Sequence, residues 1–182
     1  MAVTVKAKPP ARESTLVAAE KRIGSPIPDG YRNFLRAMYG GRPVEDSFPV
    51  DHDAGVDWFM GADEIVEAVG ILRDRLRPDL IPIAAAPGGN KICISVHPDR
   101  RGAIYFWDHE RDDLDDSAVR WLAASFGDFV SQLEVSPPVQ LSPERVFSVS
   151  IDPEFHRWAK EQEALEDARP QLVWPPRSAP QH

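Results

Sequence analysis

Apolar residues recur at helical spacing in several separate segments of the chain. After the break SPIPDG, four of them follow the i, i+3, i+4, i+7 order of one buried helical face, and Gly40-Gly41 ends the pattern. They are Tyr31, Phe34, Leu35 and Met38. An earlier, shorter helix is predicted from Ser14, with Ser14 or Thr15 as its N-cap and Gly24 as its stop. Two further helices are predicted over ADEIVEAVGILRDRL and after a Ser125 cap.

Shorter apolar runs between these helices have the period-two alternation of strands. ICISV and AIYFW are separated by the turn-forming HPDRRG, which predicts an antiparallel hairpin. Ile92 and Ile94 share one strand face, whereas Tyr105 and Trp107 fall on the face opposite Ile104 and Phe106, so both sides of the hairpin are expected to be covered. VDWFM predicts a further strand. LIPIA predicts another, for which Pro82 indicates an edge or an irregular position.

The two ends of the chain differ in composition from its centre. Residues 1–12 predict a polar, disordered leader, and residues 13–135 predict a compact domain. Residues 136–182 are rich in proline and predict an extension with one helix, at about 152–168, capped by Asp152 and started by Pro153.

Composition and charge narrow the classes of protein to consider. At 182 residues the chain can remove roughly 70% of its unfolded surface from water. Its net charge of -8 argues against binding to nucleic acid or anionic membranes, since both depend on Lys and Arg, and favours a basic partner. Cys93 is the only cysteine, so an internal disulfide is impossible. With no signal-peptide pattern and no apolar run of membrane-spanning length, these features predict a cytoplasmic protein.

Several motifs occur in an order that resembles the SMI1/KNR4 family, also called the SUKH superfamily. They are Ile23-Gly24, Pro28, Tyr31, Phe34-Leu35, Gly40-Gly41, Gly89-Asn90, the WDHE of residues 107–110, and Ser125-Phe126 with Phe129. The resemblance covers about residues 13–133. Two features depart from it: Arg42 replaces an asparagine-rich glycine turn, and residues 137–182 have no counterpart in the minimal family core.

The resemblance implies an α+β fold with a mainly antiparallel sheet and packing helices. Bacterial members act chiefly as immunity proteins, which bind and neutralise a cognate polymorphic toxin, often a nuclease. Fungal members act as cell-wall regulators, so a non-enzymatic regulatory scaffold is the alternative, with the proline-rich extension recruiting partners. Neither role involves known catalysis, a cofactor or a bound metal.

Candidate chemical sites each have a simpler structural interpretation. Gly88-Gly89 could cradle an anion, but the strand that follows favours a plain turn. Asp108, His109 and Glu110 are adjacent, and side chains alternate in an extended segment, so a metal would need His52, Asp53 or His97 as well. A metal-dependent enzyme is thus a third hypothesis, against which the three residues simply hydrogen-bond a strand end. Cys93 lies within a strand, where a thiol is usually inert.

The acidic run after the second hairpin strand is the candidate partner-binding surface, together with an acidic loop near residue 53. A solvated loop is the simpler interpretation, but complementary charge would speed the encounter with a basic protein toxin. Trp58 and Phe59 could anchor the contact, although core burial is the competing expectation. The candidate residues are Asp53, Asp57, Asp108, Glu110, Asp112, Asp113, Asp115 and Asp116.

Overall fold

Within the part of the chain that the structure describes, one antiparallel sheet of eight strands organises the fold. The structure, a computed structural model, describes residues 3–48, 55–111, 116–136 and 153–175. The strands are β1 Val3–Ala7, β2 Gly41–Pro43, β3 Trp58–Phe59, β4 Leu80–Ala85, β5 Lys91–Ser95, β6 Ile104–Trp107, β7 Val119–Ala123 and β8 Gln171–Trp174. Their order across the sheet is β7-β6-β5-β4-β3-β2-β1-β8. With helices packed against this sheet, the predicted α+β class is confirmed.

The helices follow the predicted apolar patterns closely, with differences at their ends. They are α1 Glu13–Ile23, α2 Asp29–Met38, α3 Ala62–Ile71, α4 Phe126–Ser131 and α5 Pro153–Asp167. Gly24 ends α1 with φ of 82°, and the hydroxyl of Ser125 caps α4, both as predicted. The predicted cap of α1 is wrong, because that helix starts one residue earlier and its N-cap position is Arg12, without a side-chain hydrogen bond.

The predicted β5–β6 hairpin is confirmed, and it divides two apolar clusters. Ile92 pairs with Phe106 and Ile94 with Ile104, facing the larger cluster beneath α2 and α4. On the opposite face Trp107 is buried to 1% exposure in a smaller cluster. That cluster comprises Leu72, Leu76, Leu80, Cys93, Trp107 and Ala118. Helix α3 ends at Ile71 rather than continuing through the predicted segment. The turn residues that follow it place Leu72 and Leu76 over this face.

Strand β4 lies in the middle of the sheet, so the predicted edge position of LIPIA is wrong. It pairs with β3 on one side and β5 on the other. The predicted irregularity is present: the register of β4 against β5 shifts between Pro82 and Ala84. A proline has no N–H to donate, and the local shift in pairing accommodates it inside the sheet.

Residues from both ends of the chain complete the sheet. Val3–Ala7, placed by the sequence in a disordered leader, instead forms β1 between β2 and β8. Its period-two alternation is visible in VTVKA, whose first, third and fifth side chains are buried. Strand β8, which follows α5, was not predicted, and its Trp174 packs edge-on against Phe34 at 5.7 Å between ring centroids. The end of the proline-rich extension therefore contributes to the core.

An ion-pair network joins α1 to α2. It makes the free energy of unfolding depend on pH in the acid range. Arg32 contacts Glu13 and Glu20, and Arg36 also contacts Glu13. Hydrogen bonds from the two arginines lower the pKa of Glu13 from 4.5 to about 2. A carboxyl group whose pKa is lower in the folded state stabilises the fold above its unfolded pKa, and this contribution disappears as the pH falls.

We expect the unfolding free energy to fall as the pH is lowered from 4.5 towards 2, and more steeply in the native chain than in Glu13→Gln. The effect should be modest and reduced by salt, because Glu13 is exposed. Urea unfolding of both chains at a series of pH values measures it. Parallel pH profiles would contradict the assigned network.

Candidate functional site

The strand register brings Asp57 and Asp108, one residue from each acidic region of the sequence, to one end of the sheet. A row of paired residues crosses five strands at this end, namely Trp58, Ala85, Lys91, Trp107 and Val119. Asp57 and Asp108 lie immediately beyond that row, just before β3 and just after β6. At about 4.8 Å per strand they are roughly 14 Å apart. We call this region, with the described residues beside it from 108 to 111 and at 116, the acidic end of the sheet.

The candidate residues that the structure describes all lie at the acidic end. Asp57 is exposed, and its backbone N–H donates to the carbonyl oxygen of Ala85 at 2.9 Å. Glu110 is exposed after β6, and Asp116 begins the short 3₁₀ turn that leads into β7. Four other candidates lie outside the described residues: Asp53, Asp112, Asp113 and Asp115.

The Asp108 carboxylate is hydrogen-bonded within the loop and is not free to contact a partner with both oxygens. Its Oδ1 accepts a hydrogen bond from the backbone N–H of Glu110, and its Oδ2 accepts one from Arg111 Nε, both at 3.1 Å. Its own N–H donates to the carbonyl oxygen of Ala118 at 2.9 Å, which closes the base of the β6–β7 connection. Both carboxylate oxygens are thus used within the loop, and the adjacent Glu110 carries the outward-facing charge.

Asn90 and His109 form a polar clamp between the start of β5 and the end of β6. The Oδ1 of Asn90 lies 3.0 Å from the backbone nitrogen of His109 and 2.9 Å from its Nδ1. Arg75 supports the same segment by donating to the carbonyl oxygen of His109 at 3.0 Å. The interpretation of His109 as a residue that hydrogen-bonds a strand end is therefore confirmed.

Because Gly89 has no side chain, the His109 ring can pack directly against its backbone. It has φ of +92°, and a Cβ built on it would lie 3.2 Å from Cε1 of His109. The preceding Gly88 also has positive φ, and residues 87–89 form one 3₁₀ turn between β4 and β5. This confirms the prediction of a turn: the glycines allow a left-handed backbone and close contact with the imidazole.

Convergence of the sequence's histidines on one ion has no support in the described geometry. His109 lies beside the start of β5 and His97 follows its end, so the five-residue strand separates them by roughly 16 Å. Among the residues described, no three His, Cys, Asp or Glu side chains are grouped to hold a metal ion. Two other possible ligands, His52 and Asp53, lie outside those residues.

Lys91 and Cys93 follow the clamp on the same face of β5. Burial lowers the pKa of Lys91, while the nearby charge of Asp57 acts in the opposite direction. The Lys91 ammonium group donates to the carbonyl oxygens of Gly89 and Asn90. Burial raises the pKa of the Cys93 thiol well above its usual range, and its side chain is fully buried within β5, the strand in which the sequence places it.

The two aromatic anchors suggested by the sequence are engaged within the fold. Phe59 is fully buried, so its assignment as an anchor is wrong. Trp58 is half-buried, with the Lys8 ammonium 4.8 Å and the Arg169 guanidinium 5.3 Å from its ring centroid. The exposed aromatic residue beside the acidic end is instead Trp121 on β7, with 61% of its surface exposed. Its position in VRWLA was the available signal, but that short strand was not predicted.

Replacing Asn90 with alanine should loosen the β6–β7 connection. The change removes the hydrogen bonds to His109 and the one that Asn90 Nδ2 donates to the carbonyl oxygen of Pro87. We expect a loss of about 1–3 kcal/mol in unfolding free energy and faster amide exchange at His109. Asn90→Asp, which keeps the acceptor oxygen, should cost less. An Asn90→Ala chain as stable as the native chain would show that the clamp contributes nothing.

These structural motifs belong to a known family. Residues 10–132 match the SMI1 / KNR4 family (SUKH-1), and the chain belongs to this family. A relative is the SPbeta prophage-derived uncharacterized protein YokK of Bacillus subtilis (strain 168), which is 29% identical over 150 residues. The alignment covers 69% of this chain and 75% of YokK. In the described parts of the chain, no helix is both long and apolar enough to cross a membrane.

Proposed function

We propose that this protein is a cytoplasmic immunity protein that binds a cognate toxin and neutralises it by stoichiometric occlusion. The observation that carries the proposal is that Asp57 and Asp108, which are distant in sequence, lie beyond the same end of one sheet, with Glu110 exposed beside them. Family membership supports it, because bacterial members resembling this chain act chiefly as immunity proteins.

The chemistry of the acidic end suits a basic macromolecular partner. Clustered carboxylates raise the association rate with an oppositely charged protein, and a fixed loop base limits the entropy lost on binding. Asp108 and the Asn90–His109 clamp fix that base, leaving Glu110 exposed. These groups bind other parts of the chain, so their hydrogen-bonding capacity is used in structure, which favours a binding role over an enzymatic one.

No specific observation among the described residues favours the scaffold hypothesis. It treats the proline-rich extension as a separate recruiting arm, yet Trp174 packs against the core residue Phe34. Deleting residues 137–182 would remove strand β8, so loss of a partner after that deletion would no longer distinguish recruitment from unfolding. Point substitutions on the folded chain are the better test.

The test is co-expression with the genetically linked toxin, followed by binding measurements on purified proteins. The native chain should restore growth, whereas a chain carrying Asp112→Lys, Asp113→Lys and Asp115→Lys should bind with an association rate about 10- to 100-fold lower at low salt. The control changes Asp74, Glu161 and Glu163 to lysine, which are exposed and alter the net charge equally. Equal association rates for both triple variants would reject the acidic interface, and absence of binding to any linked toxin would reject the function.

A further inference from the structure

A cavity opens at the end of the sheet opposite the acidic end. It lies where the last turn of α1, the helix α3 with the turns after it, the start of β4 and the residue after β5 come together. Its volume is about 470 Å³, within the range of roughly 300–1,000 Å³ found for small-molecule sites. Leu80 in the cavity wall and Ala85 at the acidic end stand at the two ends of β4, roughly 16 Å apart.

The interior of the cavity is apolar. Leu72, Leu76, Leu80 and Ile81 line it, and each of these residues is no more than 8% exposed. The three leucines belong to the smaller apolar cluster and Ile81 to the larger one, so the cavity borders both clusters. Half-buried apolar side chains of α1, α3 and the end of β5 complete the wall. An occupant with an apolar body would therefore gain free energy by leaving water for this interior.

Gly70 leaves open space in the part of the wall that α3 forms. It lines the cavity, and a Cβ built on it would have no other atom within 4 Å. Glycine inside a helix is unfavourable relative to alanine, so helix stability gives no reason for its presence here. The missing side chain instead keeps the cavity open to solvent.

The opening of the cavity is lined by arginine. Arg22, Arg73 and Arg77 take part in the lining, and none of the described lining residues is an aspartate or glutamate. The guanidinium of Arg77 donates to the carboxylate of Asp79 at 3.0 Å. Asp74 lies 3.9 Å from Arg73, but both side chains are at least 80% exposed, so this ion pair is weak.

The neighbouring carboxylates do not neutralise these arginines. Asp79 also contacts Arg100 at 3.5 Å, so four arginines share two aspartates and the group has an excess of two positive charges. Two further pairs of opposite sign stand next to these residues in sequence and cancel each other: Lys21 with Glu67, and Arg101 with Asp99. The opening is therefore positive in a chain whose net charge is -8.

We propose that this cavity binds a small amphiphilic anion, an oxyanion headgroup on an apolar chain of the kind found in a medium-chain fatty acid. The chain occupies the interior lined by leucine, and the headgroup lies among the arginines at the opening, whose paired N–H donors suit a carboxylate. A cationic headgroup on the same chain would be repelled. This inference is independent of the proposed function, because the acidic end lies at the other end of β4.

Isothermal titration calorimetry of the full chain with sodium decanoate, kept below its micelle-forming concentration, tests the proposal. We expect binding with a dissociation constant of about 100 µM, within the limits on binding free energy per atom for a ligand of this size. Decylammonium should bind at least about 10-fold more weakly, and acetate, which has no apolar chain, should show no binding. At ten times its dissociation constant, decanoate should raise the Tm by about 3–6 °C.

Two variants test the cavity without removing any buried side chain. Gly70→Leu narrows the opening and should weaken decanoate binding by about 10-fold or more, while urea unfolding should show no loss of stability, because leucine favours a helix more than glycine does. Arg73→Glu should weaken binding by about 10-fold. Arg157→Glu is its matched control: Arg157 is an exposed arginine on α5, and decanoate should bind this variant as it binds the native chain.

Absence of decanoate binding to the native chain would overturn the proposal. So would equal affinities for decanoate and decylammonium, or an affinity for decanoate that Gly70→Leu leaves unchanged. A native chain that binds the toxin but not decanoate would overturn this proposal and leave the proposed function intact. If Gly70→Leu then weakened toxin binding, the cavity would belong to a segment of the toxin.

Discussion

Gly41→Ala is expected to lower the free energy of unfolding by more than about 4 kcal/mol, or to prevent folding. Gly41 has φ of +136°, and a Cβ built there would lie 2.2 Å from the carbonyl oxygen of Lys6 and 3.0 Å from Cγ1 of Val5. The first of these is a backbone atom of β1, paired with β2 on one side and with β8 on the other. Relieving the contact requires β1 to move, and with it the edge of the sheet.

Two other glycines provide matched controls for this prediction. Gly24 has φ of +82°, but a Cβ added to it would meet no atom within 4 Å, so Gly24→Ala should cost only about 1–2 kcal/mol of backbone strain. Gly70 lies in α3, also with open space around it, and Gly70→Ala should stabilise the helix by about 0.5–1 kcal/mol. Urea unfolding measures all three. A Gly41→Ala chain as stable as Gly24→Ala would contradict the close approach of β1 and β2.

Phe34→Ala should cost about 3–5 kcal/mol, the range for removing a fully buried aromatic side chain. Its ring lies at the centre of the larger core, with centroids of Tyr31, Phe59, Phe126 and Trp174 between 5.1 and 5.7 Å away. These neighbours come from α2, β3, α4 and β8, so one cavity would weaken contacts among four elements. Denaturant unfolding with calorimetry measures the loss.

The conservative and surface variants separate packing from a general effect of substitution. Phe34→Leu retains most of the volume and should cost less than Phe34→Ala, and Val17→Ala, at a side chain 53% exposed, should change stability by less than about 0.5 kcal/mol. A double-mutant cycle of Phe34→Ala with Trp174→Ala should show coupling, because the rings touch. Strict additivity would place β8 away from the core.

Elements defined by neighbouring residues were predictable from the sequence. The four apolar positions predicted for the buried face of α2 are all buried, and the turn-separated runs ICISV and AIYFW pair as a hairpin. In both cases the period of the apolar residues and a local glycine or proline signal specify the same element. The left-handed backbone at Gly24 is equally local, since residue type alone favours it.

Elements defined by distant pairing were not predictable in this way. Thr4 of β1 pairs with Val173 of β8, and only the folded chain shows that a proline-rich segment returns to the first strand. The alternation in VTVKA was present, but its adjacent lysines and prolines indicated a solvated leader. Of the two positions that Pro82 indicates, the irregular one is present in β4 and the edge one is not. A register shift lets this central strand accept a proline.

The candidate site also has a part that the sequence could predict and a part that depends on distant strand pairing. Composition identified the carboxylates, whereas the position of Asp57 and Asp108 at one end depends on the register of β3 to β6. The motifs Gly89-Asn90 and WDHE are separated in sequence, yet Asn90 and His109 bind each other directly. Their proximity gives these two motifs a physical role: together they fix the exit of the acidic connection from the sheet.

The central claim is that the protein acts by binding a toxin and not by chemical transformation. Titrating a fixed, micromolar amount of the linked toxin with the purified chain, and recording residual toxin activity, tests it most directly. The account predicts an immediate, linear fall that ends at one chain per toxin, and full activity when the two are separated again. Progressive inactivation by a small fraction of one equivalent, persisting after the chain is removed, would contradict it.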